Sequence, residues 1–347
     1  MIRIFRTGAH AHRMPLAYPA LAPLFAGRLE EVTRPEEADL WLFAHPLDLA
    51  DAPAALADVW RARRPPVVIL SEEPFWDTLW GRRPLCRDIS IDSRGGRLPA
   101  VQLTHATSAI FRFAAIPYYL LSNHRFASAY AARFARNAAL TPAEWQARFA
   151  TYGADLTFMF ERRPGAFHSV HWPEGDILGL CAWRTDLAEA CTGPGVRRLG
   201  QSWQGGPSRF EIGNWHLDKL VRLDGSTRML AAIENTHQPE YLTEKLFDAF
   251  ACGALPLYVA SPGHRAHTLG LPPASWLNLH GLSVEQAAGA IAAVRFDATF
   301  FEAYATAQAA LAARFGDTGL WLAERARLAG AVMTALTEVL ETHRAPA

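Results

Sequence analysis

Residues 231–264 read AAIENTHQPEYLTEKLFDAFACGALPLYVASPGH, and their order decides the fold. An apolar run that starts at Arg228 ends in the polar pair Glu234-Asn235, a charged turn opens a helix over 242–251, and a second apolar strand follows at 254–260. Short continuous apolar strands joined through a helix belong to a parallel sheet covered on both faces. Such sheets bind ligands outside the carboxyl ends of their strands, and Glu234 and Asn235 fall at such an end. The same turn holds Lys245, and the only other lysine among the 34 basic residues is Lys219. In a chain that otherwise uses arginine, a lysine beside Glu244 on a first helical turn suggests a compact ammonium placed to meet a phosphate. A solvated helix face is the plain alternative for Glu244 and Lys245, and a turn with a helix cap is the alternative for Glu234 and Asn235.

The same alternation extends in both directions. Upstream, residues 2–5, 38–44 and 65–73 are apolar, strand-like runs, the last ending in Glu72-Glu73, with helical composition over 53–63. Residues 82–97 are polar and turn-rich, and apolar runs resume at 101–104 and 115–121. Helices are expected over 124–137 and 141–152, the second opened by Thr141-Pro-Ala-Glu144, a capping box with proline at the first helical position. A domain boundary is expected near Gly153, dividing the chain into 1–153 and 154–347. Beyond it, strands are expected at 156–161, 228–234, 254–260 and 276–280, with helices around 176–190, 242–251 and 284–294. From Ala298 to Arg344 the pattern is helical, interrupted at Gly316-Asp-Thr-Gly319, and apolar residues at spacings of three and four make the last helix amphipathic. Its polar face carries both signs of charge, which favours packing on the protein over a membrane surface. The class is α/β, with two Rossmann-like domains and a helical C-terminus.

Length and composition agree. A chain of 347 residues is long enough for two cores, and half of it is hydrophobic while a fifth is charged. Basic and acidic side chains balance at 34 each, so there is no global positive field of the kind a dedicated nucleic-acid binder carries. An anionic ligand must be met locally. The N-terminal residues lack a signal-peptide core, and no window reaches the ~18 apolar residues of a spanning helix, so a cytosolic protein is expected. Cys86, Cys181, Cys191 and Cys252 have no CxxC spacing and read as reduced thiols. His10 and His12 form an HxH in an arginine-rich loop, which reads as a surface pair, although the first βα loop could also line a binding cleft.

A sugar nucleotide presents a diphosphate, a ribose diol and a sugar, and a site for one needs cations, free backbone N–H groups and a carboxylate. The turn from Pro239 to Lys245 contains these groups. The run IENTHQPEYLTEKLFDAFACGALPLYVASP resembles the donor-binding signature of the α-1,3-fucosyltransferase family: Phe-Glu-Asn-Ser, Tyr-Val-Thr-Glu-Lys, then a small residue and Pro-Val/Ile-Tyr, in the same order and spacing. Upstream, Gly205-Gly206-Pro-Ser-Arg209 resembles the family's glycine-rich loop with its phosphate-binding arginine. Arg112-Phe-Ala-Ala-Ile-Pro117-Tyr118-Tyr119 is similar to an Arg-Tyr-x-x-x-Pro-x-Tyr run of its acceptor domain, and residues 68–73 lie where the family has a strand ending near a glutamate.

The resemblance implies two Rossmann-like domains facing a cleft, the GT-B architecture, with the acceptor on the first and the donor on the second. It implies inverting transfer, usually of L-fucose from GDP-fucose, to a saccharide hydroxyl. Arg209 and Lys245 would neutralise the diphosphate, Glu244 would bind ribose, and Glu234, Asn235, Tyr241 and Thr243 would shape the donor pocket. No DxD motif is evident, and cationic side chains can stand in for a metal at a departing diphosphate, so no metal or other cofactor is expected. The expected partners are a nucleotide sugar and a saccharide acceptor, lipid-linked in one version, which would bring a cytoplasmic protein to the inner face of the membrane. No nucleic-acid partner is expected.

Three departures from the family pattern bear on chemistry. Where the family's glutamate base should precede the Arg112 run, the residues are Leu103-Thr-His-Ala-Thr-Ser-Ala109, without a carboxylate. His105 is one candidate base, and Glu72 or Glu73 are others; a structural histidine and a strand-end carboxylate are the plain alternatives. Tyr258-Val-Ala-Ser261 stands where Tyr-Trp-Gly is common, and isoleucine replaces phenylalanine before Glu234. A different nucleotide sugar, or a catalytically silent nucleotide- or glycan-binding protein, therefore stays open.

Overall fold

The computed structural model describes residues 1–81, 83–203, 211 and 213–344. The chain divides into two compact units, Met1–His124 with Trp321–Ala347 and Arg125–Leu320.

The first unit is built on a six-stranded sheet. Its strands are β1 (Ile2–Arg6), β2 (Leu29–Glu31), β3 (Leu40–Phe43), β4 (Val67–Leu70), β5 (Asp88–Ser93) and β6 (Gly96–Leu103), in the spatial order β2-β1-β3-β4-β6-β5. All neighbours are parallel except β5 and β6, a hairpin paired from Asp88↔Val101 to Ser93↔Gly96. β3 and β4 are buried at every residue, the mark of strands covered on both faces. Trp41, Phe43, Val67 and Ile69 pack with Leu49, Leu56 and Leu98 into one core cluster. The hairpin was not expected, because DISIDSRGGRLPA alternates polar with apolar residues and contains Pro99. The alternation is the half-exposed pattern of an edge, and β5 follows it residue by residue.

The second unit has a five-stranded, all-parallel sheet. β7 (Ala154–Met159), β10 (Val196–Leu199), β11 (Thr227–Ala231), β13 (Leu255–Tyr258) and β14 (Leu277–Asn278) lie in the order β10-β7-β11-β13-β14. A small antiparallel sheet joins β8 (His171–Trp172), β9 (Ile177–Gly179) and β12 (Thr236–His237). Renumbered within each sheet, the parallel strands of both units follow the order 2-1-3-4-5, the doubly wound pattern with a switch point between its first and third strands. The α/β class expected from the sequence is the class observed.

The expected boundary near Gly153 falls inside the second unit. The helices His124–Ala138 and Pro142–Ala150, placed by the sequence with the first half, pack there instead. Phe134 stacks on Phe315 and Tyr130 meets the same ring at a tilt, Trp145 meets Tyr304 edge to face, and Asn137 donates to the carbonyls of Phe250 and Ala251. The capping box is present, with Thr141 Oγ1 accepting from Glu144 N–H and the Glu144 carboxylate accepting from Thr141 N–H. The last helix, Thr318–Arg344, returns to the first unit from Trp321 onward, where Glu324 accepts from the backbone N–H groups of Ala114 and Ala115 at 2.7 and 2.6 Å. Leu328, Val332, Leu336 and Leu340 form its buried stripe, as the amphipathic pattern implied. None of the described helices is long and apolar enough to cross a membrane. The four cysteines are free thiols, and all but Cys86 are buried.

Gly253, just past the helix Glu244–Ala251, has φ +76°, and an added Cβ would lie 2.9 Å from the Tyr152 hydroxyl and 3.2 Å from the Trp145 ring. Gly253→Ala should therefore cost about 1–3 kcal/mol through backbone strain and this crowding. A wild-type melting temperature for the variant would show that the turn relaxes.

Candidate functional site

The residues singled out between 234 and 245 form one buried cluster at the carboxyl end of β11. Thr243 caps the helix Glu244–Ala251, and Leu246, Phe247 and Phe250 bury its inner face. Phe247 meets Tyr130 and Phe315, and Phe250 stacks on Tyr304, so the helix start is held from below by packed aromatics. Glu234 reaches across from the strand end. Its Oε1 accepts from Thr243 N–H at 3.0 Å, and its Oε2 accepts from Lys245 Nζ at 2.7 Å. The Thr243 hydroxyl lies 2.7 Å from Glu234 Oε1, and Lys245 Nζ also donates to Thr243 Oγ1 at 3.0 Å. Glu244 Oε1 lies 3.6 Å from the same ammonium.

The two lysines of the chain prove to be the two ammonium groups of this neighbourhood. Lys219 Nζ sits 2.8 Å from Asp248 Oδ2, and Tyr130 donates to Asp248 Oδ1 at 2.7 Å. Burial works to raise the Glu244 carboxyl, but Lys245, His216 and Lys219 outweigh it and hold it below the usual carboxylate range. Burial works against the Lys245 charge, and Glu234 with Glu244 more than restores it, so the ammonium stays protonated. His216 is pushed down to about 4, mainly by burial, and is neutral at pH 7.

The plain alternative for this turn, a solvated helix face, is not what the structure shows. Glu244 is not on a solvated face: its side chain is 1 % exposed, and Oε2 is buried without a hydrogen-bond partner among the described residues. Lys245 keeps a fifth of its side chain accessible and has one ammonium N–H beyond those given to Glu234 and Thr243. Tyr241 is buried, and Asn235 is half-buried at the start of β12, its carbonyl accepting from Leu180 N–H. Arg209 and the glycine loop before it lie outside the described residues.

One group here was missed. Arg184, 2 % exposed on the helix Cys181–Ala190, donates to the Ile233 carbonyl at 2.9 Å and lies over the Phe160 ring, so it joins the strand ends of β7 and β11 at the switch point. Its Nε is buried without a partner among the described residues. An arginine inside the apolar run ILGLCAWRTDLA was the available signal.

In the first unit the three candidate bases differ sharply. Glu72, at the end of β4, uses both oxygens: Oε1 accepts from Arg13 Nε at 2.7 Å and from Tyr18 at 2.6 Å, and Oε2 accepts from Tyr118. Glu73 caps the helix Pro74–Leu79 and lies 3.8 Å from Arg13 Nη2. His105, past the end of β6, is 6 % exposed and stacked on Phe111 with ring centroids 4.3 Å apart, and burial pulls it down to about 3. An imidazole so weakly basic takes up a proton poorly at neutral pH. The structure does not bring these three groups to one point as an exposed base.

Among the described residues, two groups of side chains have the spacing of metal ligands, Asp176 with His237 and His280, and His216 with Glu244 and Asp248. In the first, both His237 nitrogens are engaged, Nδ1 with the Asp176 carbonyl at 2.9 Å and Nε2 accepting from Ser261 N–H at 3.0 Å. In the second, Lys219 and Lys245 already neutralise the carboxylates.

No protein family matches the chain, and no curated protein does. Among solved structures, an α1,3-fucosyltransferase is similar at 14 % identity over 88 % of this chain and 80 % of that one, with a TM-score of 0.42. The HepE protein of Anabaena in complex with UDP is similar at 12 % identity over 97 % of this chain and all of that one, with a TM-score of 0.40. Its complex with UDP-glucose matches at 12 % identity over 96 % of this chain and all of that one, with a TM-score of 0.38.

Proposed function

We propose that the protein is an inverting glycosyltransferase that moves a sugar, L-fucose from GDP-fucose, to a hydroxyl of a saccharide acceptor. The observation that carries this reading is the buried Glu234-Thr243-Lys245-Glu244 cluster at a helix start and strand end of the second sheet, in the residues that resemble a fucosyltransferase donor signature. The remaining N–H of Lys245 and the Arg209 guanidinium meet the diphosphate, and Glu244 Oε2, without a partner among the described residues, accepts from a ribose hydroxyl. Tyr241, Asn235 and Thr243 complete the donor pocket. As the sugar–phosphate bond breaks, negative charge grows on the leaving diphosphate, and fixed cations stabilise that charge more than they stabilise the bound donor. No metal is required. The protein works in the cytoplasm, at the membrane surface when its acceptor is lipid-linked.

A thermal-shift panel of GDP, UDP, ADP and CMP tests the donor site. Nucleotide at 100-fold over its dissociation constant should add about 2.7 kcal/mol of stability. GDP alone should do so; UDP in its place would assign another nucleotide sugar, and no stabilisation by any of the four would defeat the reading. Turnover should survive chelation, whereas loss restored by Mn²⁺ would replace the cationic mechanism with a metal. The engagement of Glu72 and the low basicity of His105 favour a second reading, a silent nucleotide-binding protein.

A further inference from the structure

Arg184 is the most buried arginine among the described residues, and it makes no ion pair there. Its Nη1 is spent on the Ile233 carbonyl, and its Nε is buried without a partner. Two less buried arginines just past β7 are paired: Arg162 Nη2 lies 2.6 Å from Glu189 Oε1, and Arg163 Nη2 lies 2.5 Å from Glu161 Oε2. The carboxylates of the cluster at the end of β11 are taken as well. Lys245 Nζ lies 2.7 Å from Glu234 and 3.6 Å from Glu244, and Lys219 Nζ lies 2.8 Å from Asp248. Residues 82, 204–210, 212 and 345–347, which lie outside the described ones, include no acidic side chain. A guanidinium out of water without a carboxylate is costly, so its charge calls for an anion that the chain does not itself supply.

The position of Arg184 says where that anion would sit. Ile233 lies two residues past β11 and Phe160 one residue past β7, and the Arg184 guanidinium carbon stands 4.5 Å from the centre of the Phe160 ring. β7 and β11 flank the switch point of the second sheet, the crevice in which doubly wound sheets hold their ligands. Lys245 stands at the same strand end with a fifth of its side chain accessible and one N–H beyond those given to Glu234 and Thr243. The two cations sense each other, since Arg184 works against the Lys245 charge. An anion placed between like charges that the fold holds fixed relieves their repulsion. All of these residues belong to the second unit.

We infer that the switch point of the second sheet is an anion site charged from within by Arg184, with Lys245 as the group that touches the anion, and that its ligand is the diphosphate of a nucleotide. The inference deepens the donor reading above and rests on it for the nucleotide. Arg184 is a positioning residue here. Held out of water, its charge is little screened and acts on an anion it does not touch. Such a field ranks ligands by charge: a diphosphate gains more from it than a monophosphate, and an uncharged nucleoside gains nothing. Because the guanidinium is fixed by the Ile233 carbonyl and the Phe160 ring before any ligand arrives, it need not reorganise when the anion binds.

Calorimetric titration of GDP, GMP, guanosine and inorganic pyrophosphate into the wild type and three variants tests the site. Arg184→Met and Arg184→Gln keep much of the volume and drop the charge, whereas Arg184→Lys keeps the charge. The charge-free variants should weaken GDP ~10-fold or more and GMP less, and leave guanosine within about twofold. Arg184→Lys should recover most of the GDP loss. Pyrophosphate should raise the urea midpoint of the wild type and lose that effect in the charge-free variants. Equal weakening of GDP and guanosine would make Arg184 a support for the Ile233 carbonyl and overturn the inference. Unchanged GDP affinity in a charge-free variant, or failure of both such variants to fold, would overturn it too. The donor reading fails separately: if no nucleotide binds the wild type while pyrophosphate binds and depends on Arg184, the anion site stands without it. If pyrophosphate does not bind either, both fall.

Discussion

Lys245→Ala should lose nucleotide binding and fold stability together. Read from the sequence, the substitution would weaken GDP binding by ~1–3 kcal/mol, the range for a charge-assisted contact, and spare the fold. The structure changes the second half of that expectation. Lys245 is the cationic partner of Glu234, whose side chain is 3 % exposed, and removing one member of a buried pair costs about 3–5 kcal/mol because the other charge is left uncompensated. Removing both is different, since a neutral pair of similar volume is often tolerated. Glu234→Gln with Lys245→Met should therefore recover most of the urea midpoint lost by Lys245→Ala, because the amide oxygen that replaces the carboxylate can still accept from Thr243, while GDP affinity stays low. Calorimetric titration and urea unfolding of the single and double variants measure both effects. A single variant with wild-type midpoint and affinity would show that the ammonium serves neither purpose.

Acidification should unfold the protein steeply, beginning below pH 6.5. His45, His105 and His264 are 2, 6 and 2 % exposed, and burial, the largest cause in each, lowers them to about 4, 3 and 3. In the unfolded chain they titrate near 6.5, so below that pH the unfolded state binds more protons than the folded one. The stability they contribute is complete above pH 6.5, falls as pH drops toward 4 or 3, and changes no further below those values. Each contributes up to about 1.4 kcal/mol per pH unit over that range, and the first unit holds two of them. Its urea midpoint should therefore drop sharply between pH 7 and pH 5. His105→Phe, which keeps a ring against Phe111, should flatten the slope. Equal midpoints at the two pH values would mean that these rings are protonated in the folded state.

The cluster of Glu234, Thr243, Glu244 and Lys245 was legible because its residues lie no more than 11 positions apart, and a strand end, a cap and a helix start fix their geometry locally. Thr243 capping Lys245 N–H and Glu234 reaching Thr243 follow almost directly from the order of the residues. Its depth was not legible. The turn that looks polar in sequence is covered by side chains far away along the chain, such as Tyr130, and only those contacts put Glu244 and Asp248 out of water. The same limit hid Arg184 and the His10 to Asp48 contact, which joins residues 38 positions apart across two adjacent strands. An HxH attracts attention as a pair, yet His10 meets Asp48, a carboxylate on the short helix Pro46–Ala50. The strands of the sheet centres were plain from their apolar runs, whereas the hairpin of β5 and β6 was not, because an edge keeps half of its residues polar.

The return of the last helix to the first unit also bears on how the chain is made. Synthesis runs from the N-terminus, and domains generally fold as units in that order. Here the second unit is complete on emergence of Leu320, while the first still lacks the segment from Trp321 onward. The unit that begins first therefore finishes last. Until that segment emerges, the first unit lacks the buried stripe of its last helix, Leu328, Val332, Leu336 and Leu340, and is open to chaperones and proteases for as long as the ribosome takes to read the whole of the second.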